Sequence, residues 1–220
     1  MKSYYIIGAG GHAKQVACIL SLVDPRAALN AFLDDTTSEI IRYIHNVPVY
    51  SEKILNQISP SDVLLLNGMG RPNRKKPIER LISQGFSFLK LIHPQVSLNK
   101  YITIGEGSII QAGVQLMPDI TIGQFVLIDL TATVGHDVTI GDYTTISTGV
   151  NLAGGVNVGK GTWIGSGSVV IENVTIGNNT IIGAGSVVTR DIGSNRLAYG
   201  VPAKEIRQIQ DASEILIKHQ

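Results

Sequence analysis

From Ile104 to Val188 an aliphatic residue returns every six positions without a miss: Ile104, Ile110, Leu116, Ile122, Ile128, Val134, Ile140, Ile146, Leu152, Val158, Ile164, Val170, Ile176, Ile182 and Val188. An amphipathic helix repeats its apolar positions at three and four residues and a strand at two, so a strict six fits neither alone. It fits a solenoid in which each hexapeptide supplies one short strand and one corner. The aliphatic residue points into a narrow core, and Gly, Asn and Asp serve the corners. Three such units close a triangular coil of eighteen residues. Stepping back by six reaches Leu98 and Ile92, so the register is expected to begin near residue 92. With 24 Gly against 4 Phe and 1 Trp, the composition suits a repeating turn system, and the abundant Ile and Val argue against disorder.

The first ninety residues follow another rule. "YYIIGAGGHAKQVACILSLV" reads as an apolar strand, a glycine-rich turn and a helix, and "ALNAFLDDT" as a second strand ending at Asp34 and Asp35. "DVLLLNGMGRPNRKKPIERLISQGF" reads as a buried strand, a loop and a helix, and "FSFLKLIHP" as a last strand. This alternation predicts a small parallel sheet with helices on both sides. The turn Gly8-Ala9-Gly10-Gly11-His12-Ala13 is a variant of the dinucleotide fingerprint, with Ala at its third glycine. Its glycines would let a phosphate approach a helix N-terminus, although a tight turn also needs small residues. A full dinucleotide fold needs two such halves and this segment offers one, so a nucleotide mono- or diphosphate carrier is favoured over NAD. Asp34 and Asp35 suit a ribose or base edge, or only a turn. Arg71, Arg74, Lys75 and Lys76 are read as solvated surface more readily than as a phosphate site.

The formal net charge of +1, from 18 basic and 17 acidic residues, makes nucleic acid a poor partner. No run is apolar and long enough to span a bilayer, and no signal peptide opens the chain, so a cytoplasmic soluble protein is expected. The single cysteine, Cys18, reads as buried packing. His45, His93 and His219 read as structural or solvated, and no grouping has metal-ligand spacing.

The pieces "IIGAGGHAKQV", "FLDD", "VGHDVTIGD", "LAGGVNVG", "IGAGSVVTRDI" and "YGVPAK" occur in this order along residues 1–207. Together they resemble the bacterial sugar acetyltransferases of the left-handed β-helix, hexapeptide-repeat type, which includes sialic acid O-acetyltransferases and N-acetyltransferases for UDP-linked 4-amino sugars. The resemblance implies an α/β half-Rossmann-like domain over 1–91, an all-β left-handed parallel β-helix over 92–199 and a C-terminal tail over 200–220, read as partly helical. It also implies a homotrimer and acetyl-CoA as cosubstrate. Carried over by motif, Gly8, Gly10, Gly11, His12, Asp34 and Asp35 would border the nucleotide sugar. Gly154, Ser166 and Ala184 would line the acetyl-CoA groove, with Gly200 to Lys204 near the pantetheine or adenosine portion. Trp163 would meet adenine or a neighbouring protomer.

The family's catalytic histidine falls on His136, followed by Asp137. An imidazole can deprotonate an attacking amine or hydroxyl near neutral pH, and a carboxylate beside it orients the ring. No acyl carrier is demanded, so direct attack on the thioester is expected. Members acting on amino sugars carry Asn seven residues before this histidine and a second His nine residues after it; here Asp129 and Thr145 stand there. N-acetylation of a nucleotide-linked amino sugar is the leading expectation, with O-acetylation of a sialic or related nonulosonic acid as the alternative. A noncatalytic solenoid that assembles a complex or senses a nucleotide sugar is the reading from another class.

Overall fold

The computed structural model describes residues 3–35 and 42–214, so His219 lies outside the described residues. The N-terminal part holds β1 (Ser3–Ile7), α1 (Gly11–Val23), β2 (Leu29–Leu33), β3 (Arg42–Ile44), β4 (Val47–Tyr50), β5 (Val63–Asn67) and α2 (Lys75–Ser83). Its sheet runs β3-β4-β2-β1-β5, with β1 parallel to both β2 and β5. Successive residues of β1 serve opposite faces. Tyr5 and Ile7 pack with Ile78 and Leu81 of α2, whereas Ile6 packs with Val16 and Leu20 of α1. The helices therefore cover both faces, as the alternation predicts. Cys18 corrects one expectation: it is exposed, because the sheet-facing stripe of α1 is made by Ala13, Val16, Ile19 and Leu20. The antiparallel β3–β4 hairpin turns at His45 and Asn46, both with positive φ, a pairing the sequence does not announce because neither residue is glycine.

The remainder is a three-faced left-handed solenoid of stacked parallel strands. The first face stacks Leu91–Ile92, Ile109–Ile110, Leu127–Ile128, Thr145–Ile146, Trp163–Ile164 and Ile181–Ile182. The second stacks Gln115–Leu116 through Thr133–Val134 to Val187–Val188, and the third Ile102–Ile104 through Thr139–Ile140 to Thr175–Ile176. Partners in register are eighteen residues apart, as Val134 is from Leu152. From Ile110 to Val188 the whole six-residue ladder is buried; Ile104 is partly buried against it, and Leu98, expected in the ladder, is 51% exposed. A second inward set, including Val114, Ile120, Val126, Ala132 and Val138, completes the core. Where this set is polar, hydroxyls tie coils together: Thr144 Oγ1 donates to Gly159 O and Thr162 Oγ1 to Gly177 O, each at 2.7 Å.

Each corner needs a left-handed residue, and from Gly107 to Gly185 every sixth residue has positive φ. Glycine, Asn and Asp fill most of these places, as their tolerance of that region requires. Phe125, Thr131 and Tyr143 are exceptions, at φ 55, 58 and 60. The two aromatics stack on each other with centroids 5.2 Å apart, and Phe88 meets Phe125 edge-on. Their strain of about 1–2 kcal/mol each is offset by the apolar seam they form with the N-terminal part.

That part sits across the first face and its two flanking corners. Ile109 and Leu127 pack with Ile6, Val16 and Leu66, while Gln111 Nε2 donates to Gln15 Oε1. The far end of the first face is covered by residues 196–212 of the same chain. Of the tail expected to be partly helical, the first part is a strand: Arg196–Gly200 extends the face and Ala203–Gln208 returns antiparallel, with a single 3-10 turn over 212–214 and residues 215–220 outside those described. Its alternating charged and apolar residues suit an edge strand as well as a helix, and the Gly200-Val201-Pro202 turn selects the hairpin. Ile209 and Ala212 then close over Ile181, Leu197 and Trp163. Trp163 therefore packs under its own chain, donating from Nε1 to Ser147 Oγ at 2.7 Å, rather than standing free for adenine or a neighbour.

Candidate active site

His136 and Asp137 occupy the corner between the second and third faces. Asp137 is the left-handed residue of that corner, with φ 60, and this conformation turns its carboxylate back on its neighbour. Its Oδ2 lies 2.7 Å from His136 Nδ1, and both side chains are 67% exposed. A carboxylate on Nδ1 fixes that nitrogen as the donor and leaves Nε2 as the basic atom. The ring lies on the next coil: a Cβ built on Gly154 would come within 2.6 Å of Nε2. Gly155 N donates to His136 O at 2.8 Å. Gly154 is thus the residue whose missing side chain makes room for the imidazole.

The glycine-rich turn lies at the C-terminal ends of the strands of the N-terminal sheet. Gly8, at φ +101, sits against Gly68 O, and Gly10 caps α1 with no side-chain hydrogen bond. The first turn of α1, starting at Gly11, holds no acidic residue, which suits an anion at its amides. Asp34 belongs to this turn: Arg42 Nη2 donates to Ala9 O and lies 3.6 Å from Asp34 Oδ2. Asp35 goes elsewhere, 3.9 Å from Arg80, which also contacts Glu52. The two carboxylates therefore belong to different clusters. His12 is largely buried beside the turn; burial first, then the Arg74 charge, lower its pKa to about 4, so its ring is neutral at neutral pH.

These groups do not converge within one chain. His136 occupies the corner opposite the first face, which carries the N-terminal part. Gly154 lies with it, whereas Ser166 and Ala184 stand one coil apart on the corner between the first and second faces, where Gly185 N donates to Ser166 O. Among the described residues no group of three His, Cys, Asp or Glu side chains could hold a metal ion, and no helix is long and apolar enough to cross a membrane.

Residues 4–81 match the family model described as the PglD N-terminal domain, and residues 155–190 match the bacterial transferase hexapeptide (six repeats). A histidine-to-asparagine variant of perosamine N-acetyltransferase from Caulobacter crescentus, solved with CoA and GDP-perosamine, is 34% identical, with a TM-score of 0.87 over 94% of this chain and 98% of that one. The chain belongs to the bacterial sugar acetyltransferases of the left-handed β-helix type. The acetyltransferase domain of PglB from Neisseria gonorrhoeae, in complex with acetyl coenzyme A, is 29% identical over 93% of this chain and 99% of that one, with a TM-score of 0.87. UDP-N-acetylbacillosamine N-acetyltransferase from Bacillus subtilis (strain 168) is 37% identical over 117 residues, 51% of this chain; the match spans about half of that relative, 52% of its length.

In this sugar acetyltransferase the two departures at positions 129 and 145 lie apart from His136. Asp129 begins the corner after Leu127–Ile128, and the extended run 132–136 alone spans about 13 Å, so it does not reach His136 of its own chain. Thr145 faces the N-terminal part, where Arg74 Nη1 donates to its Oγ1 at 3.0 Å. Arg74, expected among solvated basic residues, is wholly buried. Its other bonds run to the carbonyls of Arg71, Phe125, Tyr143 and Thr144. Burial pulls its pKa down to about 9, which still leaves it cationic at neutral pH. Arg71, Lys75 and Lys76 remain exposed.

Proposed function

We propose that this sugar acetyltransferase transfers the acetyl group of acetyl-CoA to the amine of a nucleotide-linked amino sugar, working as a homotrimer in the cytoplasm, where acetyl-CoA is held. The observation that carries the chemistry is the His136 ring, oriented by Asp137 through Nδ1 and laid over Gly154 with Nε2 as its base. The amine nitrogen attacks the thioester carbonyl and Nε2 takes the proton that nitrogen sheds. The C–S bond then breaks, and the departing thiolate takes the proton from the imidazolium. No acyl-enzyme forms. The names of the relatives, a perosamine and a bacillosamine N-acetyltransferase, favour an amine over a sialic acid hydroxyl as acceptor.

An incomplete site within one copy supports the trimer. One copy holds the base on one edge of the second face and the nucleotide turn, Ser166 and Ala184 towards the other. A ring of three copies, each presenting its His136 corner to the next copy's Ser166 corner, completes three equal sites and closes. Exposed Met117, Val169 and Ile171 on and beside the second face suit burial there.

The deciding experiment measures free thiol released from acetyl-CoA with UDP- and GDP-linked 4-amino sugars, and with sialic acid. Release with an amino sugar, reduced about 10²–10⁴-fold in His136→Ala, is expected. Release with sialic acid alone would replace the amine by a hydroxyl. Failure of acetyl-CoA to bind by calorimetry would favour a noncatalytic solenoid.

A further inference from the structure

Among the described residues, four buried side-chain atoms have no hydrogen-bond partner: His12 Nε2, Asn67 Nδ2, Arg74 Nε and Asp129 Oδ1. They are not scattered. Asn67 ends β5 and accepts from Met69 N, His12 follows the glycine turn, and Arg74 spans the seam between the two parts of the chain. Asp129 joins them through α1: His12 bonds Gln15, Gln15 accepts from Gln111, and Asp129 stands one coil above Gln111, about 4.8 Å along the stack.

The column containing Asp129 shows what a scaffold requires there. Gln111, one coil before it, is satisfied by Gln15; Ser147, one coil after it, is satisfied by Trp163; beyond that stands Gly165. Asp129 alone has a carboxylate oxygen shut from solvent with nothing donating to it. Burial raises the pKa of Asp129, and the hydrogen bond that the Leu130 amide gives its carboxylate offsets this only in part. A carboxylate oxygen buried without a donor costs the fold free energy, and Gln111, Ser147 and Gly165 of the same column are neutral. A residue that weakens the fold at a ligand seam is accounted for by a ligand that satisfies it. The missing partner must be a hydrogen-bond donor, and one carrying positive charge answers a carboxylate best. His12, held neutral beside the turn, does not compete for that role.

We infer that Asp129 receives the protonated amine of the acceptor sugar, takes one of its protons so that the nitrogen regains the lone pair with which it attacks, and sets the protein's preference for an amine over a hydroxyl at that position. This rests on the reading of the acceptor as a nucleotide-linked amino sugar. It makes Asp129 a specificity-determining residue, distinct from the base on His136.

The test is calorimetric binding to wild-type protein and Asp129→Asn of UDP- and GDP-linked 4-amino-4,6-dideoxyhexoses, each paired with its 4-hydroxy counterpart. Wild type is expected to bind the amine about 10- to 100-fold more tightly than the hydroxyl. In Asp129→Asn that ratio should fall to near one through loss of amine affinity, with hydroxyl affinity unchanged and the melting temperature held or raised. Equal binding of amine and hydroxyl by wild type would overturn the inference while leaving the nucleotide-sugar reading intact. So would an Asn variant that changes both ligands alike, changes neither, or melts lower. Binding of neither pair by wild type would remove the nucleotide-sugar reading and the inference with it.

Discussion

A hydrogen in place of a methyl group at residue 154 decides where the His136 ring, the proposed base, stands. Alanine there would place Cβ within 2.6 Å of His136 Nε2, so the ring must move by an ångström or more. Gly154→Ala is expected to lower kcat about 10²-fold with an unchanged melting temperature, as steady-state rates and calorimetry would show, because small misplacements of a reacting group are costly. His12 makes a second prediction at this scale. Its folded pKa of about 4 lies below its unfolded value of 6.5, so the unfolded chain takes up a proton first as pH falls. The stability it contributes is complete above pH 6.5 and is lost towards pH 4, by about 3 kcal/mol. Denaturant titrations across that window should show the loss, and His12→Gln should flatten it.

Among the elements, corners and clasp behave differently. Thr131 is exposed, β-branched and left-handed, and no aromatic stack offsets its strain. Thr131→Asn is expected to raise stability by about 1 kcal/mol in urea unfolding, since Asn enters this region more readily. Arg74→Ala should do the reverse, by about 3 kcal/mol or more, because it strands three solenoid carbonyls and Thr145 Oγ1 in a buried seam. The same contrast explains what the sequence reveals. The inward ladder is legible because every sixth residue is aliphatic. The second inward set is not, because it mixes Val and Ala with Thr144, Thr162 and Ser168, whose hydroxyls are satisfied only once coils stack. His136 with Asp137 is visible as a local pair. Arg74 is not, since its solenoid partners lie 51 to 71 residues further on and most are backbone carbonyls. The C-terminal hairpin escapes for a related reason: the face it extends exists only in the coiled solenoid.

For the whole molecule, the placement of His136 opposite the nucleotide turn would, in the proposed trimer, make catalysis a property of neighbours. Two inactive variants, His136→Ala and Ser166→Trp, should therefore complement when unfolded and refolded together. Random assembly from equal amounts leaves about a quarter of the sites with both edges intact, so about a quarter of wild-type activity is expected. Sites contained in single chains would instead give none.

The eighteen-residue coil also acts as a measuring rod. Stacked strands advance in fixed steps of about 4.8 Å, so Ala184, three coils above Leu130, stands about 14 Å along the groove. Nothing between those graduations is available: a duplication or deletion that preserves the corners must add or remove a whole coil. In this architecture the reach of the acyl donor would change by whole coils, never by single residues, so related chains with longer or shorter solenoids should differ in donor reach by multiples of that step.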